Sequence, residues 1–173
     1  MRPASPTPRL SGLPELGAIV DHLVVDLRIG RVRSVAFVVT SDVTCTLPLY
    51  DVAIGTARRG WRIGIPDVLY WFVTPEPAPV ARYGTAVSAA VRQRLEPEGI
   101  TFIGSTYAEV RHGVVLLDPQ GGCIKPDRTV TLHRGAEGLR PDVAGRGTLR
   151  GGTTPLYRDF HLHLSYRPSF AAE

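Results

Sequence analysis

Ser34-Val-Ala-Phe-Val-Val-Thr40, Ser41-Asp-Val-Thr-Cys-Thr-Leu-Pro48 and Val68-Leu-Tyr-Trp-Phe-Val-Thr-Pro75 are the strings on which the fold is decided. The first and last are continuous apolar runs. Strands buried on both faces of a parallel sheet carry such runs, where half-exposed strands alternate. Between them, residues 49–59 place Leu49, Val52, Ala53 and Ala57, with Ile54, on one side at helical spacing. Pro48 suits the first turn of a helix, where its missing N–H is not needed, and Gly60 fits as the terminator. Strand, helix and strand in this order predict a βαβ unit, the core of a nucleotide-binding architecture. Residues 40–48 contain none of the glycines that such a unit normally uses to hold phosphate.

On the N-terminal side, Leu16, Ile19, Val20, Leu23, Val24 and Leu27 recur at three and four, which predicts a helix over residues 15–28 ending before Gly30. Arg28, Arg31 and Arg33 follow at its C-terminus, where cations suit the helix dipole. On the other side, Pro75-Glu-Pro-Ala-Pro79 continues neither strand nor helix and reads as a rigid bend. Val87, Ala90, Val91 and Leu95 then mark a helix over residues 85–96, and Ile100-Thr-Phe-Ile103 a third buried strand. The repeated alternation predicts an α/β sheet with helical crossovers. From residue 105 the pattern shortens to strands at 107–111, 114–117 and 129–132 with glycine turns between them, an antiparallel meander packed on the parallel layer.

The chain of 173 residues suffices for one domain with a real core. Residues 1–14, with prolines at 3, 6, 8 and 14, read as a disordered leader, residues 15–132 as the Rossmann-like domain, and residues 133–173 as an Arg/Gly-rich, poorly ordered tail. Within that tail, Asp159-Phe-His-Leu-His-Leu-Ser-Tyr166 alternates like a strand, with no partner readable from the sequence. The formal charge of +4 comes from dispersed arginines, with Lys125 the single lysine, so no basic block points to a specific nucleic-acid partner. Cys45 and Cys123 stand far apart and form neither a disulfide framework nor a zinc knuckle. No run approaches the ~18 apolar residues of a membrane span, and a cytoplasmic location is the default expectation.

Gly30-Arg-Val-Arg-Ser-Val-Ala-Phe-Val-Val, Leu47-Pro-Leu-Tyr-Asp-Val-Ala and Phe72-Val-Thr-Pro-Glu-Pro-Ala-Pro-Val resemble the second dinucleotide-binding domain of the pyridine-nucleotide-disulfide oxidoreductase superfamily. The branch with sulfide:quinone reductases and type II NADH dehydrogenase-like flavoproteins is the most similar. The resemblance covers roughly residues 30–132. It implies an NAD(P)H-binding fold inserted in an FAD protein, a four-to-five-stranded parallel sheet with flanking helices, and a three-stranded meander. The family's first GxGxxG and late Gly-Asp motif, which hold FAD, are missing from this sequence, so FAD would be supplied with another chain. The implied reading is a fragment of a larger oxidoreductase, truncated or continued out of frame after Leu132. Its partners would be a flavin-binding chain or further copies of itself.

Ser41, Thr44 and Thr46 are the candidate phosphate contacts near the start of the second helix. Ser, Thr and Asp before a helix are above all capping residues, and Asp42 adds like charge against a phosphate. Glu76 is the candidate ribose-binding acid, two residues beyond the expected place occupied by Thr74, against the reading of a solvated loop glutamate. Cys45 is the better placed of the two cysteines for redox work, yet a lone cysteine is more often a small buried apolar residue. His161 and His163, with His133, lack an acidic or cysteine partner at metal-ligand spacing. No residue is assigned a catalytic role. The expected function is that of the NAD(P)H-binding-type part of an FAD/NAD(P)-dependent oxidoreductase with a degenerate phosphate loop. The alternative is a non-catalytic protein-interaction module on the same scaffold.

Overall fold

The computed structural model of the chain describes residues 13–40, 43, 45–134, 147–150 and 160–167. In chain order, α1 (Leu13–Arg28), β1 (Ser34–Val39), α2 (Leu47–Arg62) and β2 (Leu69–Val73) are followed by a 3-10 turn (Ala81–Tyr83), α3 (Thr85–Leu95) and β3 (Ile100–Ile103). After them come β4 (Tyr107–Arg111), β5 (Val114–Asp118), β6 (Cys123–Ile124), β7 (Arg128–Arg134), β8 (Gly147–Arg150) and β9 (Phe160–Tyr166). A six-stranded sheet has the order β3-β2-β1-β7-β9-β8, and β4-β5-β6 form a separate three-stranded sheet. The first four strands of the large sheet are mutually parallel, whereas β9 is antiparallel to both β7 and β8. This is an α/β, Rossmann-like fold with an added antiparallel meander.

The apolar run of β1 is continuous because both of its faces are covered. Val35, Phe37 and Val39 pack with Leu23 and Leu27 of α1 and Leu49, Val52, Ala53 and Ala57 of α2. Ala36 and Val38 turn the other way and pack with Val73, Ala108 and Val115, the last two on the meander. In β2, Tyr70 and Phe72 join the helical layer and Val73 the meander layer. Each fully buried side chain of this size contributes about 1.5–3 kcal/mol, so these two layers dominate the stability of the domain.

Three expectations need correction. Residues 129–132 do not complete the meander: they lie in β7, parallel to β1, with Phe37 opposite Val130, and β6 is the meander's third strand. A short apolar alternation fits either sheet, and Val130 and Leu132 bury more by entering the center of the large one. Second, the sheet continues past residue 132. β9 pairs with β7 from Arg128↔Tyr166 to Arg134↔Phe160, giving the alternating segment its partner, and Leu162 and Leu164 enter the core. β8 (Gly147–Arg150), also within the expected tail, pairs with β9 at the sheet edge. Residues 135–146, 151–159 and 168–173, and the leader apart from Leu13 and Pro14 in α1, lie outside the described residues. Third, α2 runs through Gly60 to Arg62, and Gly64, at φ +79°, makes the left-handed exit. Gly60 is buried within the helix, where a Cβ would meet the Tyr70 hydroxyl at 2.9 Å.

At the amino end of the sheet, α1, β7 and β9 are joined by charge. Arg128 Nε donates to Asp26 Oδ2 at 3.1 Å, both side chains being nearly buried. The same guanidinium lies 3.7 Å over the ring centroid of Tyr166, whose hydroxyl is 2.5 Å from His22 Nε2. Asp127 ties the starts of β1 and β7, accepting from the Arg33 N–H and the Ser34 hydroxyl, each at 2.9 Å.

Candidate functional site

Open parallel sheets present ligand sites beyond the carboxyl ends of their strands, beside the point where the strand order reverses. Here that point lies between β1 and β7, where the Thr40 N–H donates to the Leu132 carbonyl at 3.0 Å. The segments leaving β1, β2 and β3 converge on this edge.

Thr46 is the N-cap residue of α2, but its side chain makes no cap hydrogen bond. Its hydroxyl donates instead to Glu76 Oε2 at 3.1 Å. One turn later on the same helix, the Tyr50 hydroxyl donates to the same oxygen at 3.3 Å. Residues four apart share a helix face, so two hydroxyls converge on one carboxylate. Tyr50 is held in place by stacking on Phe72, 4.0 Å between centroids. The Glu76 N–H in turn donates to the Thr74 hydroxyl oxygen at 3.2 Å. Glu76 is therefore half-buried and internally bonded, and the reading of a solvated loop glutamate is overturned. Burial pushes its carboxyl above the usual range, and hydrogen bonding to the side chain offsets this only in part. Burial likewise raises the Tyr50 phenol, reinforced by the neighboring Glu76 charge.

The loop that carries Glu76 is pinned from its other side as well. The Ser105 N–H donates to the Glu76 carbonyl at 2.9 Å, and the Thr106 N–H to the Thr74 carbonyl at 3.0 Å. Gly104 permits this approach: a Cβ there would stand 2.7 Å from the Glu76 carbonyl oxygen and 2.6 Å from the Phe102 ring. Val80, fully buried, takes φ +46° and ψ +40°. A β-branched residue in the left-handed region is a strained outlier, on the order of 1–3 kcal/mol, held only by its surroundings.

The start of α2 is a poor phosphate cradle. Pro48 has no N–H, and the Leu49 and Tyr50 amides already donate to the Thr46 carbonyl at 3.0 and 3.4 Å. The usual row of helix-start donors is thus largely spent, and in this conformation the residues do not fit a dinucleotide pyrophosphate. Ser41 and Thr44, like Asp42, lie outside the described residues. Of the four predicted site residues the structure brings together Thr46 and Glu76. Tyr50 escaped the sequence reading, although its spacing from Thr46 in Thr46-Leu-Pro-Leu-Tyr50 was its signal.

Cys45 sits beside the same edge, where the Tyr83 hydroxyl lies 3.8 Å from its sulfur; Cys123 is exposed in the meander. Among the described residues no group of His, Cys, Asp and Glu is arranged to hold a metal ion, and no helix is long and apolar enough to cross a membrane. A groove of about 480 Å³ runs between the residue 78–84 turn and α3, lined by Ala78, Ala81, Gly84, Ser88 and Arg92 among others.

No protein-family model and no curated protein matches the chain. Among solved structures it is similar to the crystal structure of reduced Bacillus anthracis CoADR-RHD, at 13% identity and a TM-score of 0.46 over 84% of this chain. The chain spans 24% of that chain's length. The sheet order and the two packed layers define the class: an α/β domain of Rossmann-like type.

Proposed function

We propose that this chain acts as the NAD(P)H-binding-type domain of an FAD/NAD(P)-dependent oxidoreductase, with its flavin held by another chain and no independent catalysis. The observation that carries the reading is the position of Glu76. It follows β2 at the carboxyl edge of a parallel sheet, two residues beyond the place where a Rossmann domain keeps its ribose-binding acid, and meets the first turn of α2. Thr46 and Glu76 are the residues proposed to face the nucleotide. Titration with NADH and NADPH, read by fluorescence or heat, tests it. Weak saturable binding is the expected result, and no binding at millimolar ligand overturns it.

A second reading is favored by the satisfied donors at the start of α2. With Leu49 and Tyr50 amides already bonded and Pro48 lacking one, the same scaffold serves as a non-catalytic protein-interaction module. That reading predicts the null titration.

A further inference from the structure

The Glu76 carboxylate takes up, within the chain, the hydroxyls at the start of α2 that a nucleotide's sugar or phosphate oxygens would use. It does so from a loop held closed on both sides. α2 grips the side chain through Thr46 and Tyr50, and residues 105 and 106 grip the backbone at Glu76 and Thr74. Between these anchors and α3 stands Val80 in a conformation that valine avoids. The loop also has somewhere to go, since Ala78 and Ala81 border the groove along α3. A strained residue, a self-satisfied carboxylate and open space on one side together describe a closed state.

We propose that Glu76 is an intramolecular latch: its bonds to Thr46 and Tyr50 hold the residue 75–84 loop against α2, and the edge opens to the sugar hydroxyls of a nucleotide when they are released. The latch rests on the proposed nucleotide reading for its ligand, but its closure is testable without one. Release frees both hydroxyls and one carboxylate for a ligand's polar oxygens.

The experiment compares amide hydrogen exchange across residues 78–84 in the wild-type chain, Tyr50→Phe, Thr46→Val, and the two combined, with Thr46→Ser as a control that keeps its hydroxyl. Each single substitution should speed exchange in this loop several-fold and the double at least ~10-fold, with β1 and β7 amides unchanged; Thr46→Ser should match wild type. Unchanged exchange in the loop in the double variant, with the core amides still protected, overturns the latch. Should the double variant lose core protection as well, Tyr50→Phe alone decides, and loop exchange at the wild-type rate in that variant overturns the proposal. NADH titration of the same proteins keeps the two readings apart. Faster loop exchange with no NADH binding in any variant upholds the latch and removes the nucleotide. NADH binding in wild type with no change in exchange does the reverse.

Discussion

Single side chains here carry consequences out of proportion to their size. The Tyr70 hydroxyl is buried without a hydrogen-bond partner, and burial pushes its phenol up to about 12. An unsatisfied buried hydroxyl costs about 1–3 kcal/mol, so Tyr70→Phe should leave the denaturant midpoint unchanged or raise it. Gly60→Ala should lower it, because the new methyl meets that hydroxyl. In the Tyr70→Phe background the alanine should cost clearly less, and a double-mutant cycle showing no coupling would refute the contact. Glu76 gives a pH test with a definite sign. Its folded-state carboxyl is raised by burial, as is that of Asp51. Their stabilizing contributions are therefore complete below the unfolded carboxyl pKa, about 4.3 for Glu and about 3.9 for Asp, and are lost as pH rises through the folded value. Urea midpoints measured from pH 4 to 7 should fall with pH, and Glu76→Gln should flatten part of that slope. An unaltered slope in the variant would contradict the assignment to Glu76.

Among the elements, those whose pattern the environment repeats were the ones the sequence disclosed. β1 and β2 could be read because layers on both faces demand apolar residues at every position. α1 could be read because its one covered face repeats at three and four. α3 was read only in part: Leu95 is buried, but Val87 of the expected apolar face is 44% exposed. β7 was misplaced because its few residues satisfy a hairpin and a central strand equally, and only the partner decides. The candidate site was half legible: Glu76 and Thr46 were visible as residue types, but their mutual bond spans 30 positions, which no local pattern encodes. The connection from β3 to β4 offers a test at this scale. Gly104→Ala places a methyl against backbone and ring atoms that have no room to yield. It should destabilize the domain by about 1–3 kcal/mol in denaturant unfolding, and a neutral result would show that the loop does not lie as described.

For the molecule as a whole, the junction of α1, β7 and β9 decides whether the sheet holds together at six strands. Arg128→Met leaves Asp26 buried without its main partner, although His22 stands 3.9 Å away. A loss of about 3–5 kcal/mol is expected from stranding a buried charge. Asp26→Asn combined with Arg128→Met should recover much of it, and a double variant no better than the single would refute the pairing. The central place of β7 also sets the order in which the fold can be made. β1 at residue 34 finds β2 after one helix, yet its other edge waits for residue 128. Contacts so distant in sequence are slow to close, so strands β1 to β3 can assemble while one edge of β1 is still open. During synthesis that open edge is the moment of greatest exposure to pairing with a foreign strand. The alternation around residues 128–134 is then a timing element, ending the vulnerable interval by capping the oldest strand of the sheet.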